Sequence, residues 1–343
     1  MKRGVLLAGL GLTLFACGSS GTSTSSSSSS SSGGGAQSSA TTASCSGRGG
    51  GHTVGLLLSG PANDQGYYQA AKEGLDQVVK DCGVKPLVAD NVDPAAGVQA
   101  VRNLVSQGAD IIIGAGEEFE DSEVQVASST PNVKFIVENG KKPSANVADY
   151  KLKEGESAYL AGAAAGLLGY KTVGFVGGIE IPSLIETRTD FGAGLTSIVS
   201  DAKYINQITG DFNDSNLAKE AVLSQVRQGA NLILPYLGAG VVGAVQAITE
   251  QKVKAVSPSV DRCGQDAFWA LSDVASPHGL VYRAAVDTLT GHFEPTKAKF
   301  FGLETPDVGR VVLCSAPPSG VQQKLDQIKQ GLINGSIKLP YEA

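Results

Sequence analysis

One stretch of this chain occurs twice. Ser106-Gln107-Gly108-Ala109-Asp110-Ile111-Ile112-Ile113 returns as Arg227-Gln228-Gly229-Ala230-Asn231-Leu232-Ile233-Leu234. Each copy reads as a helix end passing through a glycine turn into a buried strand. The same opening stands upstream of both: Thr53-Val54-Gly55 begins 54 residues before Gln107, and Thr172-Val173-Gly174 begins 56 before Gln228. Gly114-Ala115-Gly116 and Gly238-Ala239-Gly240 follow the two strands. Three agreements in one order predict two lobes of like topology.

Between these anchors, apolar runs alternate with helical spacing. Strands are predicted at 54–59, 110–114, 133–138 and 173–176, and helices at 67–79, 98–106 and 156–168. Such alternation means parallel strands joined by crossover helices, an α/β chain of two doubly wound, Rossmann-like lobes. Lobe 1 is placed at about 52–170 and lobe 2 at about 171–275, with the remainder crossing back to both. Loops beyond the carboxyl ends of such strands form a crevice, and two facing lobes make a cleft suited to a small molecule.

The N-terminus speaks for export. Lys2 and Arg3 precede an apolar run from Val5 to Ala16, too short for a permanent span of roughly 20 residues. Cys17 directly after Ala16 resembles a bacterial lipobox. That resemblance implies removal of residues 1–16 and a palmitate-type lipid on the Cys17 sulfur; an ordinary cleaved signal remains the alternative. Residues 17–51 are nearly all Ser, Thr, Gly and Ala, too apolar-poor to order, and predict a flexible tether of about 30 Å reach. The expected location is extracytoplasmic, anchored to the bacterial membrane by lipid.

Charge and cysteine usage agree with this. The formal net charge of −6 becomes −8 once Lys2 and Arg3 leave, which argues against a nucleic-acid partner. Cys45, Cys82, Cys263 and Cys314 make an even set for an oxidising compartment. Three pairings are open, and Cys263 with Cys314 plus Cys45 with Cys82 is favoured from their positions. No C-x-x-C occurs, and His52, His278 and His292 are isolated, so no metal site is expected. Nor is there a G-x-S-x-G or H-E-x-x-H constellation to suggest an enzyme. Gly238-Ala239-Gly240-Val241-Val242-Gly243 does match the dinucleotide fingerprint. In an exported chain with a second Gly-Ala-Gly, it reads as a turn, and no cofactor is expected.

Gly174-Phe175-Val176-Gly177-Gly178 with Ile181-Pro182 resembles the central signature of the basic membrane lipoprotein (BMP/PnrA-like) family. Asn63-Asp64 with Tyr67 and Tyr68, Glu154-Gly155-Glu156-Ser157, and Phe212-Asn213-Asp214 extend the likeness from Thr53 to Leu313. The family consists of substrate-binding lipoproteins of ABC importers, and characterised members bind purine nucleosides. The resemblance implies a type I periplasmic-binding-protein-like fold, a nucleoside-like solute, an ABC permease as partner, and hinge closure. A different polar or cationic solute, or reporting to a membrane sensor, is the alternative.

Candidate contacts follow. Asn63 and Asp64 sit where a crevice residue should, able to meet hydroxyl and amide groups; Asp64 could equally cap the next helix. One of Tyr67 and Tyr68 is expected in the core and the other in the cleft. Glu117 and Glu118 either stabilise a helix N-terminus or face the cleft, favouring NH donors or positive charge. Gly238 permits close backbone approach or merely a turn. The family alignment adds Phe119, Pro182 and Asp261, and sets Thr187 at a position that usually holds an aromatic ring and Ala275 at one that holds a lysine.

Overall fold

The repeated sequence builds repeated structure. The computed structural model describes residues 45–341. The predicted leader, Cys17 and the tether as far as residue 44 lie outside the described residues. Strand β1 (Thr53–Leu57) passes through α1 (Tyr67–Cys82) to β2 (Lys85–Ala89). Then follow α2 (Gly97–Ser106), β3 (Ile111–Gly114), α3 (Glu120–Ala127), β4 (Lys134–Glu138), β5 (Val147–Leu152) and α4 (Glu154–Leu167). The second half runs β6 (Thr172–Gly177), α5 (Pro182–Ile198), β7 (Lys203–Ile208), α6 (Ser215–Arg227), β8 (Leu232–Tyr236) and α7 (Val241–Gln251). After β9 (Lys254–Pro258) and β10 (Trp269–Ala275) come α8 (Pro277–Leu289), β11 (Ala298–Phe301), β12 (Gly309–Leu313) and α9 (Val321–Ile333).

Two six-stranded sheets result, ordered β2-β1-β3-β4-β5-β11 and β7-β6-β8-β9-β10-β12. Strand β12 runs antiparallel to β10, and β11 runs parallel to β5. The duplicated segments occupy equivalent places. Asp110 N donates to Thr53 O and Asn231 N to Thr172 O, both at 3.1 Å. Gly108 and Gly229 hold φ of +92° and +97°, which explains the glycine at both turns. The Gly-Ala-Gly parallel does not hold. Aligning the two strands sets Gly114 opposite Pro235, and Gly116 has φ +144° whereas Gly240 is a right-handed helix cap at φ −58°.

Apolar periodicity decides what each helix covers. In α1, Ala71, Leu75, Val78 and Cys82 share a face that packs with Leu280 and Ala284 of α8 over Leu56 and Ile113. Each fully buried Leu or Ile there contributes about 1.5–3 kcal/mol. In the second sheet, Phe175 and Leu234 pack under Phe191 and Leu195 of α5 and the alanines of α4. Helices α4 and α5 cross at backbone contact. An added Cβ at Gly162 would lie 2.0 Å from Phe191 O, and one at Gly194 would lie 1.9 Å from Tyr159 O.

Two sequence-based boundaries move. Helix α4 packs on α5, β10 and α9, so the chain leaves the first sheet at Lys153 and not near 170. Its apolar residues run all round, and only a position wedged between α5 and the second sheet buries them. The folded part also starts before His52. Residues 45–51, expected in the tether, turn back onto α1 through Gly49 N to Cys82 O at 3.0 Å and the Cys45–Cys82 disulfide. The bond supplies what their composition lacks. A second disulfide joins Cys263 to Cys314.

Three segments cross between the sheets: Lys153, the β10–α8 junction, and 302–308. They are tied side by side. Ser276 N donates to Val308 O at 2.7 Å, Leu303 N to Glu156 Oε2 at 3.1 Å, and Lys153 pairs with Glu304 at 2.8 Å.

Candidate functional site

Both sheets point their carboxyl ends at one cavity of ≈ 380 Å³, within the usual size for a small-molecule site. The first lobe contributes Ser59 after β1, Tyr67 and Tyr68 from the start of α1, Glu117 and Glu118 after β3, and Asn139 after β4. The second lobe contributes Ile181 and Ser183, the Phe212-Asn213 loop, Tyr236 to Gly238, and Ser259 and Arg262. Glu154, at the first crossing, lies between them.

Aromatic groups come from both walls. Tyr67 and Tyr68 meet edge-on, with centroids 5.6 Å apart. Tyr68 hydroxyl, Ser59 Oγ and Glu118 Oε1 form a short chain with spacings of 2.6 and 2.5 Å. Burial, helped by the charge of Glu118, pushes the Tyr68 phenol up to about 12. Across the cleft, Tyr236 stacks on Phe175 and donates to Glu154 Oε2 at 2.7 Å. Thr187 Oγ1 donates to the same oxygen at 3.2 Å. Glu154 opens α4, where the helix dipole also favours its charge; burial still raises its pKa.

Glu138 differs. It closes β4 just before the cavity-lining Asn139 without itself joining the lining, is 1 % exposed, and neither carboxylate oxygen has a partner in hydrogen-bond geometry. Desolvation lifts it to about 8; the neighbouring Tyr67 hydroxyl offsets part of this, while Glu154 and Glu118 add to it. At neutral pH its carboxyl is mostly protonated, presenting one O–H donor and one acceptor.

The structure brings together Tyr67, Tyr68, Glu117, Glu118 and Gly238 from the sequence-predicted set. Others stand elsewhere. Phe119 is fully buried in the first lobe's core against α2 and β4. Asp64 is buried with its oxygens taken by the amides of Gly66, Gln69 and Tyr68 at 2.8, 3.0 and 3.3 Å, the capping role. Asn63 is exposed beside it, off the lining. Asp261 accepts from Cys263 N at 3.1 Å and faces Arg310 at 3.8 Å, ordering its own loop. Thr187 lies behind Glu154, and Pro182 starts α5 while its neighbours Ile181 and Ser183 line the cavity. Ala275 packs on the first lobe's core. Sequence reasoning missed Asn139, Glu154, Tyr236 and Arg262 on the lining. The first three end or follow strands at the crevice, and that position was the available signal.

The dinucleotide-like turn has its amides spent. Gly238 N and Gly240 N both donate to Phe212 O, at 2.9 and 3.0 Å, and Ala239 N donates to Asn213 Oδ1 at 3.1 Å. Gly243 is glycine because a Cβ there would meet Ser215 O at 1.8 Å. No group of carboxylate, His or Cys side chains among the described residues is arranged to hold a metal ion.

Two like α/β lobes, three crossing segments and a cleft between them define a solute-binding protein of the periplasmic-binding-protein type. An ABC transporter solute-binding protein from Aeropyrum pernix K1 superposes with a TM-score of 0.75, at 20 % identity, over 85 % of this chain and 94 % of that one. Residues 52–342 match the family described as ABC transporter substrate-binding protein PnrA-like, and the chain belongs to it. Basic membrane protein D of Borreliella burgdorferi (strain JD1) is 25 % identical, covering 87 % of this chain and 91 % of that protein. The ABC transporter nucleoside-binding protein BmpA of Lactococcus lactis subsp. cremoris is 27 % identical, covering 81 % and 86 %.

Proposed function

We propose that this chain captures a purine nucleoside or nucleobase for an ABC permease, held outside the cell membrane by lipid on Cys17. The observation that carries the reading is the pairing of aromatic and polar side chains on the lining of one two-lobed cleft. Glu118, Asn139 and Glu154 offer hydrogen-bonding groups that a heterocycle edge or a ribose matches. Tyr67 and Phe212 supply flat apolar area from opposite lobes, which favours a ring held between them. A ligand touching both walls stabilises the closed arrangement of the lobes. The Lactococcus relative described as nucleoside-binding supports the solute class.

Calorimetry with adenosine, guanosine, inosine and adenine tests this. Saturable heat with at least one of them is expected, and it should fall at least tenfold in affinity in Tyr67→Ala. Absence of heat and of thermal stabilisation at millimolar concentration with all four overturns the solute assignment. A second reading, a cationic solute, is favoured by the three carboxylates Glu117, Glu118 and Glu154 on the cavity lining. Mass spectrometry of the solute released on denaturing the purified protein separates the two.

A further inference from the structure

Among the acids of the cleft stands a cation whose side chain makes no hydrogen bond or ion pair among the described residues. Arg262 lines the cavity from the loop after β9, and its Nε is buried without a hydrogen bond. Its guanidinium carbon lies 5.6 Å from the centre of the Trp269 ring. It joins no ion pair among the described residues. The acids around it are Asp64, Asp266 and Glu73. Asp64 has given its oxygens to three backbone amides, and adjacent Asp261 is drawn off by Arg310. Asp266 and Glu73 are exposed to solvent.

The loop is built to hold this side chain still. Arg262 N donates to Ser272 Oγ at 3.1 Å, and the next residue, Cys263, is bonded to Cys314. The Arg262 guanidinium sits over the Trp269 ring. A planar, fixed guanidinium with free N–H groups is the usual partner of a carboxylate or phosphate, and pre-organisation lowers the cost of using it. Two acids of the lining are already engaged, Glu154 by Tyr236 and Thr187 and Glu118 by Ser59.

We propose that Arg262 is an oxyanion subsite in the wall of the cleft, so that the captured solute carries a carboxylate or phosphate group as well as the part that the tyrosine wall meets. The inference rests on the cleft being a solute site but not on the solute being a nucleoside.

Trp269 is the chain's single tryptophan, so its fluorescence reports on the guanidinium above it. The experiment titrates wild type, Arg262→Gln and, as a control, Arg310→Gln. The probes are adenosine, adenosine 5′-monophosphate, adenosine-5′-carboxylate, inorganic phosphate and acetate. The expected result is at least tenfold tighter binding of one anionic adenosine than of adenosine, with the ratio falling to about one in Arg262→Gln and kept in Arg310→Gln. Preference for the monophosphate assigns phosphate, and preference for the carboxylate assigns carboxylate. A ratio near one in wild type, or a ratio that survives Arg262→Gln, overturns the proposal. Should no adenosine compound bind, the nucleoside reading fails alone and the two small anions decide. A saturable fluorescence change with phosphate or acetate, lost in Arg262→Gln, upholds the subsite; none in wild type refutes it. Matching thermal unfolding of the variants shows that they are folded.

Discussion

Replacing Glu138 by Gln keeps the shape of the packing beside Tyr67 and removes the group that ionises there. Burial raises the Glu138 carboxyl from an ordinary 4.5 to about 8. A raised acid binds its proton more tightly folded than unfolded. It therefore subtracts stability as pH climbs from the unfolded value through the folded one. Each pH unit in that window costs about 1.4 kcal/mol for one such group. Integrated from pH 5 to pH 8, the wild-type protein loses roughly 3 kcal/mol through Glu138 alone. Asp273 and Glu186, lifted by burial to about 7, and Asp149, lifted to about 6, act in the same direction. They are common to both proteins and cancel in the difference. Urea unfolding of ligand-free wild type and Glu138→Gln at pH 5 and pH 8 measures it. The variant's advantage should grow by about 3 kcal/mol as pH rises. Parallel curves would show that Glu138 is not a desolvated acid held protonated behind the wall of the cleft.

Other perturbations probe the frame around the cleft. Gly162→Ala or Gly194→Ala pushes a Cβ into the facing helix backbone, and each should cost at least about 3 kcal/mol in chemical unfolding. Because either change forces α4 and α5 apart, the double variant should cost less than the sum; full additivity would mean that the crossing is not shared. Replacing Cys45 and Cys82, or Cys263 and Cys314, by serine pairs should each lower stability by about 2–4 kcal/mol. Only the second pair should also weaken solute binding in calorimetry, since only that bond fixes the Arg262 loop.

The fold was legible because its signal is local. The glycine turns at Gly108 and Gly229 need positive φ, and the isoleucine and leucine runs after them are buried on both faces. Strands without such a run escaped notice. β2 contains Pro86 and lies half exposed at a sheet edge, and β5 carries the buried Asp149 in its middle. Helix α4 was recognised as a helix and set in the wrong lobe, because small residues announce close packing without naming the partner. The site was legible by position and not by side-chain type. Residues just past strand ends reached the cavity where the chain turned inward, as Glu118 does. Asp64 and Asp261 look like ligand acids in sequence, yet nearby amides and Arg310 claim them. Whether a carboxylate is already satisfied is a three-dimensional fact, and it separates Asp64 from Glu138.

The link between Cys45 and Cys82 also has a mechanical meaning. Cys82 ends α1 at the side of the first sheet away from the cleft. Any pull on the chain ahead of residue 45 enters the domain there, through a covalent bond into a helix seated on the core. It bypasses the short segment leading to β1, which would otherwise bear the load as a central strand peeled from its neighbours. Tension on the chain ahead of residue 45 is thus taken up by the rear of one lobe, leaving the other lobe and the opening between them unloaded.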